Sequence, residues 1–205
     1  GEHNIQGIGD KHIPLIHNVT NTDVVVAVSD RACDELGVVF NTPEGAAYLA
    51  DLGVDPSIIS QLGHFGLSGI CNVLAAIKTA KTLGLSAEDA IVTVATDGAE
   101  LYASEREAMA ANRYVDGFSS SDASTAVEEH LLGADSSHVE VLDEIGRNRI
   151  FNLGYYTWVE QQGIEFDDFE MRRDQQVWKH LQKLAPIWDE LIEEFNNQTG
   201  VLANR

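Results

Sequence analysis

Basic side chains are scarce in this sequence. Thirteen lysines and arginines stand against 33 aspartates and glutamates, a formal charge of −20, and only Lys11, Lys78, Lys81, Lys179 and Lys183 are lysines. Nucleic acids and anionic membranes are gripped by clustered Lys and Arg, so this balance excludes both as partners. The acid excess fits the surface of a salt-adapted protein and that of an ordinary acidic one equally well. Cysteine is almost missing: Cys33 and Cys71 make neither a disulfide framework nor a Cys-x-x-Cys site and read as small buried thiols. No apolar run approaches the ~20 residues of a membrane helix. The polar start Gly1-Glu2-His3-Asn4 is no signal peptide, and cytoplasm is the expected location. His12 and His17, five residues apart with His3 nearby, lack further ligands at regular spacing, so no metal site is expected.

What is present reads as an alternation of helices and buried strands. At 205 residues the chain suffices for one domain, or one domain with a helical appendage. Asp23 to Ser29 is a short β-branched run of the kind buried on both faces of a parallel sheet, and Ile91 to Thr96 is a second. Thr42 as cap, Pro43 in the first turn and Gly53 as terminator delimit a helix. A longer helix starts near Ser68, carries Ile70, Val73, Leu74, Ile77 and Ala80, and stops at Gly84. Residues 104 to 135 are rich in Ala, Ser and charge, broken at Asp116 to Asp122, and read as a linker or lid. Val139 to Ile145 is expected to be a short helix. Apolar residues from Val177 to Phe195 recur at helical spacing around Pro186.

The segment Ile5-Gln6-Gly7-Ile8-Gly9-Asp10-Lys11-His12-Ile13-Pro14 puts two glycines, a cation and an imidazole in one turn. Such a turn allows close backbone approach to an anion, or simply joins two elements. Three segments in this order, Ile5 to Pro14, Ser68-Gly69 opening an Ala-rich helix, and Ile91 to Tyr102 with Asp97-x-x-Glu100-x-Tyr102, resemble the C-terminal part of the large domain of fold-type II pyridoxal-phosphate enzymes. That group contains cysteine synthase, cystathionine β-synthase and threonine synthase. The resemblance covers about the first half of the chain. The remainder, including Tyr156 to Gly163, is similar to longer β-subunit-like members.

The resemblance implies a three-layer α/β sandwich with a mostly parallel sheet and a helical C-terminal extension. Residues 1–104 would belong to the cofactor-binding domain, 105–150 to the linker or lid, and 151–205 to the extension. It implies β-replacement or β-elimination on a small amino acid through an aminoacrylate, with pyridoxal 5'-phosphate as cofactor. Ser68 would bond the pyridine nitrogen, a neutral partner that makes the cofactor a mild electron sink; as a plain helix cap it needs no such role. Gly7, Gly9, Thr96 and Asp97 would line the cofactor. Lys11 and His12 stand where cysteine synthases carry a small residue and an aromatic, and would meet a charged substrate group, unless Lys11 is only a solvated charge. Asp97 and Glu100 also read as loop caps, and His64 as a structural imidazole.

The lysine that forms the Schiff base, and the Gly/Thr-rich phosphate loop, precede this part in the family. We therefore expect a fragment, a processed product or one subunit of a split enzyme, inactive alone and completed by a segment or partner chain carrying that lysine. A homo-oligomer is expected, with the helical tail packing a dimer. Two other readings compete. One is a non-catalytic binding or interaction subunit. The other is a dinucleotide-binding domain around Gly7-Ile8-Gly9, which lacks the third glycine and a preceding strand.

Overall fold

A computed structural model describes residues 3–5 and 12–204. Its helices are α1 (Asp30–Val39), α2 (Pro43–Asp51), α3 (Pro56–Ile59), α4 (Leu67–Leu83), α5 (Ala103–Arg113), α6 (Ser120–Ala126), α7 (Glu144–Tyr155), α8 (Phe166–Met171), α9 (Gln175–Gln182) and α10 (Ala185–Thr199). Wider π-helical turns, Val127–Leu132 and Tyr156–Gln161, continue α6 and α7. Among the described residues the strands are β1 (Val24–Val26) and β2 (Val139–Val141), paired antiparallel with Val25 opposite Glu140.

The expected α/β sandwich is thus corrected to a mainly helical fold. The run at Asp23 to Ser29 forms only β1, half-exposed and antiparallel. The run at Ile91 to Thr96 forms no strand; it is an irregular exposed segment in which Val92 is 94 % accessible. β-branched composition favours a pleated surface, but a strand exists only where a neighbour takes its backbone hydrogen bonds. The expected helix at Val139 to Ile145 is also corrected, since β2 occupies its first three residues and α7 starts at Glu144.

The chain divides into two compact units. The described residues 3–5 and Val24–Val141 make the first, and His12–Asp23 with the residues from Leu142 onward makes the second. In the first unit α1 is central, with Cys33, Leu36 and Val39 buried against Leu49 of α2, Leu67, Ile70 and Leu74 of α4, and Ala123 and Ala126 of α6. Local signals place these helices. Thr42 caps α2 by accepting from the Gly45 N–H at 3.3 Å, Pro43 occupies its first turn, and Gly53 follows it at φ +84°. Gly84 ends α4 in the left-handed conformation, φ +64°. The stretch expected as a linker or lid carries α5, a turn at Gly117, and α6, whose Ser119 and Asp122 form a reciprocal capping box. Ala123, Ala126 and Val127 from that stretch are core residues.

The second unit is built on aromatic rings and one arginine. Phe151 of α7 and Phe169 of α8 stack with centroids 4.7 Å apart, beside buried Val19. Arg172 lies over both rings, 4.9 Å from Phe151 and 4.4 Å from Phe169, and donates to the carbonyls of Leu15 at 2.6 Å and Phe169 at 3.2 Å. Burial, and then the nearby Arg173 charge, push the Arg172 guanidinium below its ordinary value. Trp158 donates to the Ile13 carbonyl at 2.7 Å, and Asn18 and Gln175 exchange amide bonds of 2.9 and 3.0 Å. Chain separations of about 150 residues are closed by these polar contacts.

Arg172→Lys keeps the charge but loses the planar stack and the two-carbonyl fork, and is expected to cost the second unit about 1–3 kcal/mol. Urea unfolding followed by tryptophan fluorescence checks it, because Trp158, Trp178 and Trp188 all belong to that unit.

Candidate functional site

The turn that opens α4 is the sequence-predicted cofactor site. Gly66 caps the helix, and its N–H donates to the Asp97 carbonyl at 2.9 Å. A side chain at Gly66 would collide with the Asp97 carbonyl oxygen and the Tyr102 ring, each 2.5 Å from the place of a Cβ, so glycine is required for close approach. Ser68 is the second helical residue rather than the cap, and it is buried, 2 % exposed. Thr96 and Asp97 are exposed, while Ala99 and Tyr102 are buried under the turn. Asn72 of α4 donates to the Val94 carbonyl at 2.9 Å, a second tie between this helix and the 91–97 segment.

Three of the expected cofactor contacts therefore belong to segments joined by direct hydrogen bonds. Gly7, Gly9 and Lys11 lie outside the described residues, and His12 is an exposed residue of the second unit. His64 closes a short 3-10 turn before the site, and Glu100 is exposed in the turn after it.

Pyridoxal phosphate does not fit this turn in the chain by itself. The cavity beside it, lined by Phe65, Gly66, Leu67, Ala99, Tyr102 and Arg106 among others, holds about 20 Å³, room for one water. Among the described lysines of the first unit, Lys78 is 3.7 Å from Asp135 and Lys81 donates to the Ala134 carbonyl.

A larger cleft, about 350 Å³, lies beside the start of α1 and was not expected from the sequence. Ser29, Arg31, Lys78, Glu129, His130 and His138 line it together with apolar residues of α1 and α4. Beneath it Glu35, whose side chain is 3 % exposed, accepts from Arg31 at 2.8 Å and from His130 at 2.8 Å, and also pairs with Arg113. Burial works to raise the Glu35 pKa, but the bonds from Arg31 and His130 outweigh it and hold the carboxylate below its ordinary value. Arg31 bridges onward to Glu129 at 2.8 Å. His138 has a positive φ of 57°, and its carbonyl accepts from Ala27 at 3.0 Å, fixing the rim. A mixed lining of cations and carboxylates of this size suits a small polar or zwitterionic molecule. Glu35 and His130 are 95 positions apart, so no spacing rule finds them.

The two cysteines also meet. Cys33 of α1 hydrogen-bonds Cys71 of α4, and this bond, with burial, drives the Cys33 thiol far above its usual range. Among the described residues no group of three or more His, Cys, Asp or Glu is arranged to hold a metal ion. Among the described residues no helix is long and apolar enough to cross a membrane.

Two outcomes test this geometry. Gly66→Ala is expected to destabilise the first unit by about 1–3 kcal/mol through overpacking against Tyr102, measured by circular dichroism in urea. The folded pKa of Glu35 lies below its unfolded value, so its stabilisation is complete above about pH 4.5 and is lost as the pH falls through the depressed folded value. Glu35→Gln, which leaves the surrounding cations unbalanced, is expected to cost about 3 kcal/mol at neutral pH and to flatten that acid dependence in the same unfolding assay.

No protein-family model, curated protein or solved structure matches this chain.

Proposed function

We propose that this chain is the C-terminal portion of a pyridoxal-phosphate-dependent enzyme of the cysteine synthase-like group, cytoplasmic and acting on a small amino acid by β-replacement or β-elimination. The observation that supports the reading is the Gly66 to Asp97 hydrogen bond, which joins the Ser68 turn to the Thr96–Asp97 segment. The reading rests on that juxtaposition and on the motifs, not on a parallel sheet. The cofactor, when bound, supplies the electron sink for the reaction. This chain's part is to hold a neutral hydroxyl, Ser68, at the start of a packed helix and to leave Asp97 exposed at the rim. On this reading a second segment or partner chain brings the lysine and the phosphate loop and widens the water-sized cavity beside the turn.

A specific observation favours a second reading, a non-catalytic binding subunit. The cleft over Glu35 is large enough for a small polar ligand and stands clear of the Ser68 turn.

One experiment separates the two. The complete assembly is expected to show the visible absorption of lysine-bound pyridoxal phosphate, abolished by borohydride, and this chain alone is expected to show none. Ser68→Ala in the assembly should weaken cofactor retention about tenfold, with Ser68→Thr restoring it. A complete assembly with no such band sinks the enzyme reading and leaves the binding subunit.

A further inference from the structure

The cleft over Glu35 carries three marks that a passive gap between helices does not need. The wider turn Val127–Leu132 places Glu129 and His130 side by side on its wall, and turns of this kind gather at functional sites. His138, on the rim, holds a left-handed backbone at φ 57°, a strain that persists only where the surroundings impose it. The third mark is an imidazole nitrogen. The His130 side chain is 8 % exposed and spends Nε2 on Glu35, while Nδ1 meets no partner among the described residues. Every fully covered side-chain nitrogen or oxygen among those residues has a partner, so Nδ1 opens into the cleft that His130 lines.

The geometry points to a receptor site for a free α-amino acid with a short aliphatic side chain. This rests on the cleft being a ligand site and is independent of the cofactor. Charge decides the class. The lining sets Arg31 and Lys78 against Glu129 and Asp135, an even balance in a chain that carries −20 overall. The field of such a chain repels a multiply charged anion, and two cations on the wall repel a polycation. A zwitterion meets neither penalty.

Each charge of the ligand has a place. Arg31 and Arg113 already face Glu35 and Glu129, so the cluster is balanced without a proton on Nδ1. Nε2–H then donates to Glu35, and the bare Nδ1, with the Glu129 carboxylate, accepts from the ligand's ammonium. For the carboxylate, Lys78 is covered along its stem, 12 % exposed, and its ammonium stands 3.7 Å from Asp135, beyond hydrogen-bond length. Ser29 caps α1 by accepting from the Ala32 N–H at 3.2 Å, which leaves its own O–H to donate beside the positive end of that helix. Asp30, in the same turn, accepts instead from the Asn4 N–H at 3.0 Å. Ala27, Val28, Ala32 and Leu74 supply apolar surface for a few methyl groups, and about 350 Å³ lies within the range of small-molecule sites.

Isothermal titration calorimetry of the 205-residue chain tests the assignment. L-Alanine, L-valine and L-leucine are compared with isovalerate and isobutylamine, each of which keeps only one of the two charges. One site per chain is expected for at least one amino acid, with the one-charge analogues about tenfold weaker or more. Lys78→Met and Glu129→Gln keep the shape of the wall, and each is expected to weaken the amino acid about tenfold while circular dichroism stays native. The analogue comparison needs no variant. An analogue that binds as tightly as every amino acid overturns the zwitterion and leaves the cleft a site for another ligand class. Native variants that bind like wild type, or no binding by any of the three amino acids, overturn the proposal as well. The enzyme and binding-subunit readings are judged apart from these titrations, by the visible absorption of the complete assembly.

Discussion

The first unit depends on how α1 is neutralised. This helix is buried on nearly every side, and Glu35 is buried with it, in the middle of the apolar positions Cys33, Leu36 and Val39. An unpaired carboxylate there would cost several kcal/mol, so donors must converge on it. Arg31 from the same helix, Arg113 from the end of α5 and His130 from the turn after α6 do so. In a chain with only 13 lysines and arginines, two arginines committed to one carboxylate are a large share. Their convergence fixes where α5 and the 127–132 turn meet α1, and so shapes the cleft above.

The second unit solves a similar problem with a cation instead of an anion. Arg172 is nearly buried, and its guanidinium meets carbonyl oxygens and aromatic faces. Guanidinium tolerates this because it is weakly hydrated and planar, whereas an ammonium would not. In each unit the decisive polar contact joins residues distant in sequence, which gives the small apolar cores a defined arrangement.

Local chemistry was legible throughout. Thr42, Pro43 and Gly53 mark the second helix, Gly84 ends the fourth, and Pro186 separates the last two, because caps and breakers act within one turn of chain. The strands were not legible in the same way. Val24 to Val26 found a partner in Val139 to Val141, and Ile91 to Thr96 found none among the described residues, although both runs are rich in β-branched residues. Around the candidate site the glycine and serine of the turn that opens the fourth helix were readable, whereas its contact with the Asp97 segment through Gly66 is a tertiary fact. The cleft over Glu35 was invisible, since its residues come from segments about 100 positions apart.

By itself, then, the sequence determined the helix ends, the acidic surface and the amphipathic stripe of the last helices, all properties of neighbouring residues or of plain composition. Only the tertiary structure decided which β-branched run became a strand, where Ser68 and Asp97 stand, and which cations face Glu35. Strand pairing and charge compensation are free energies of contact, and they have no value until distant segments meet.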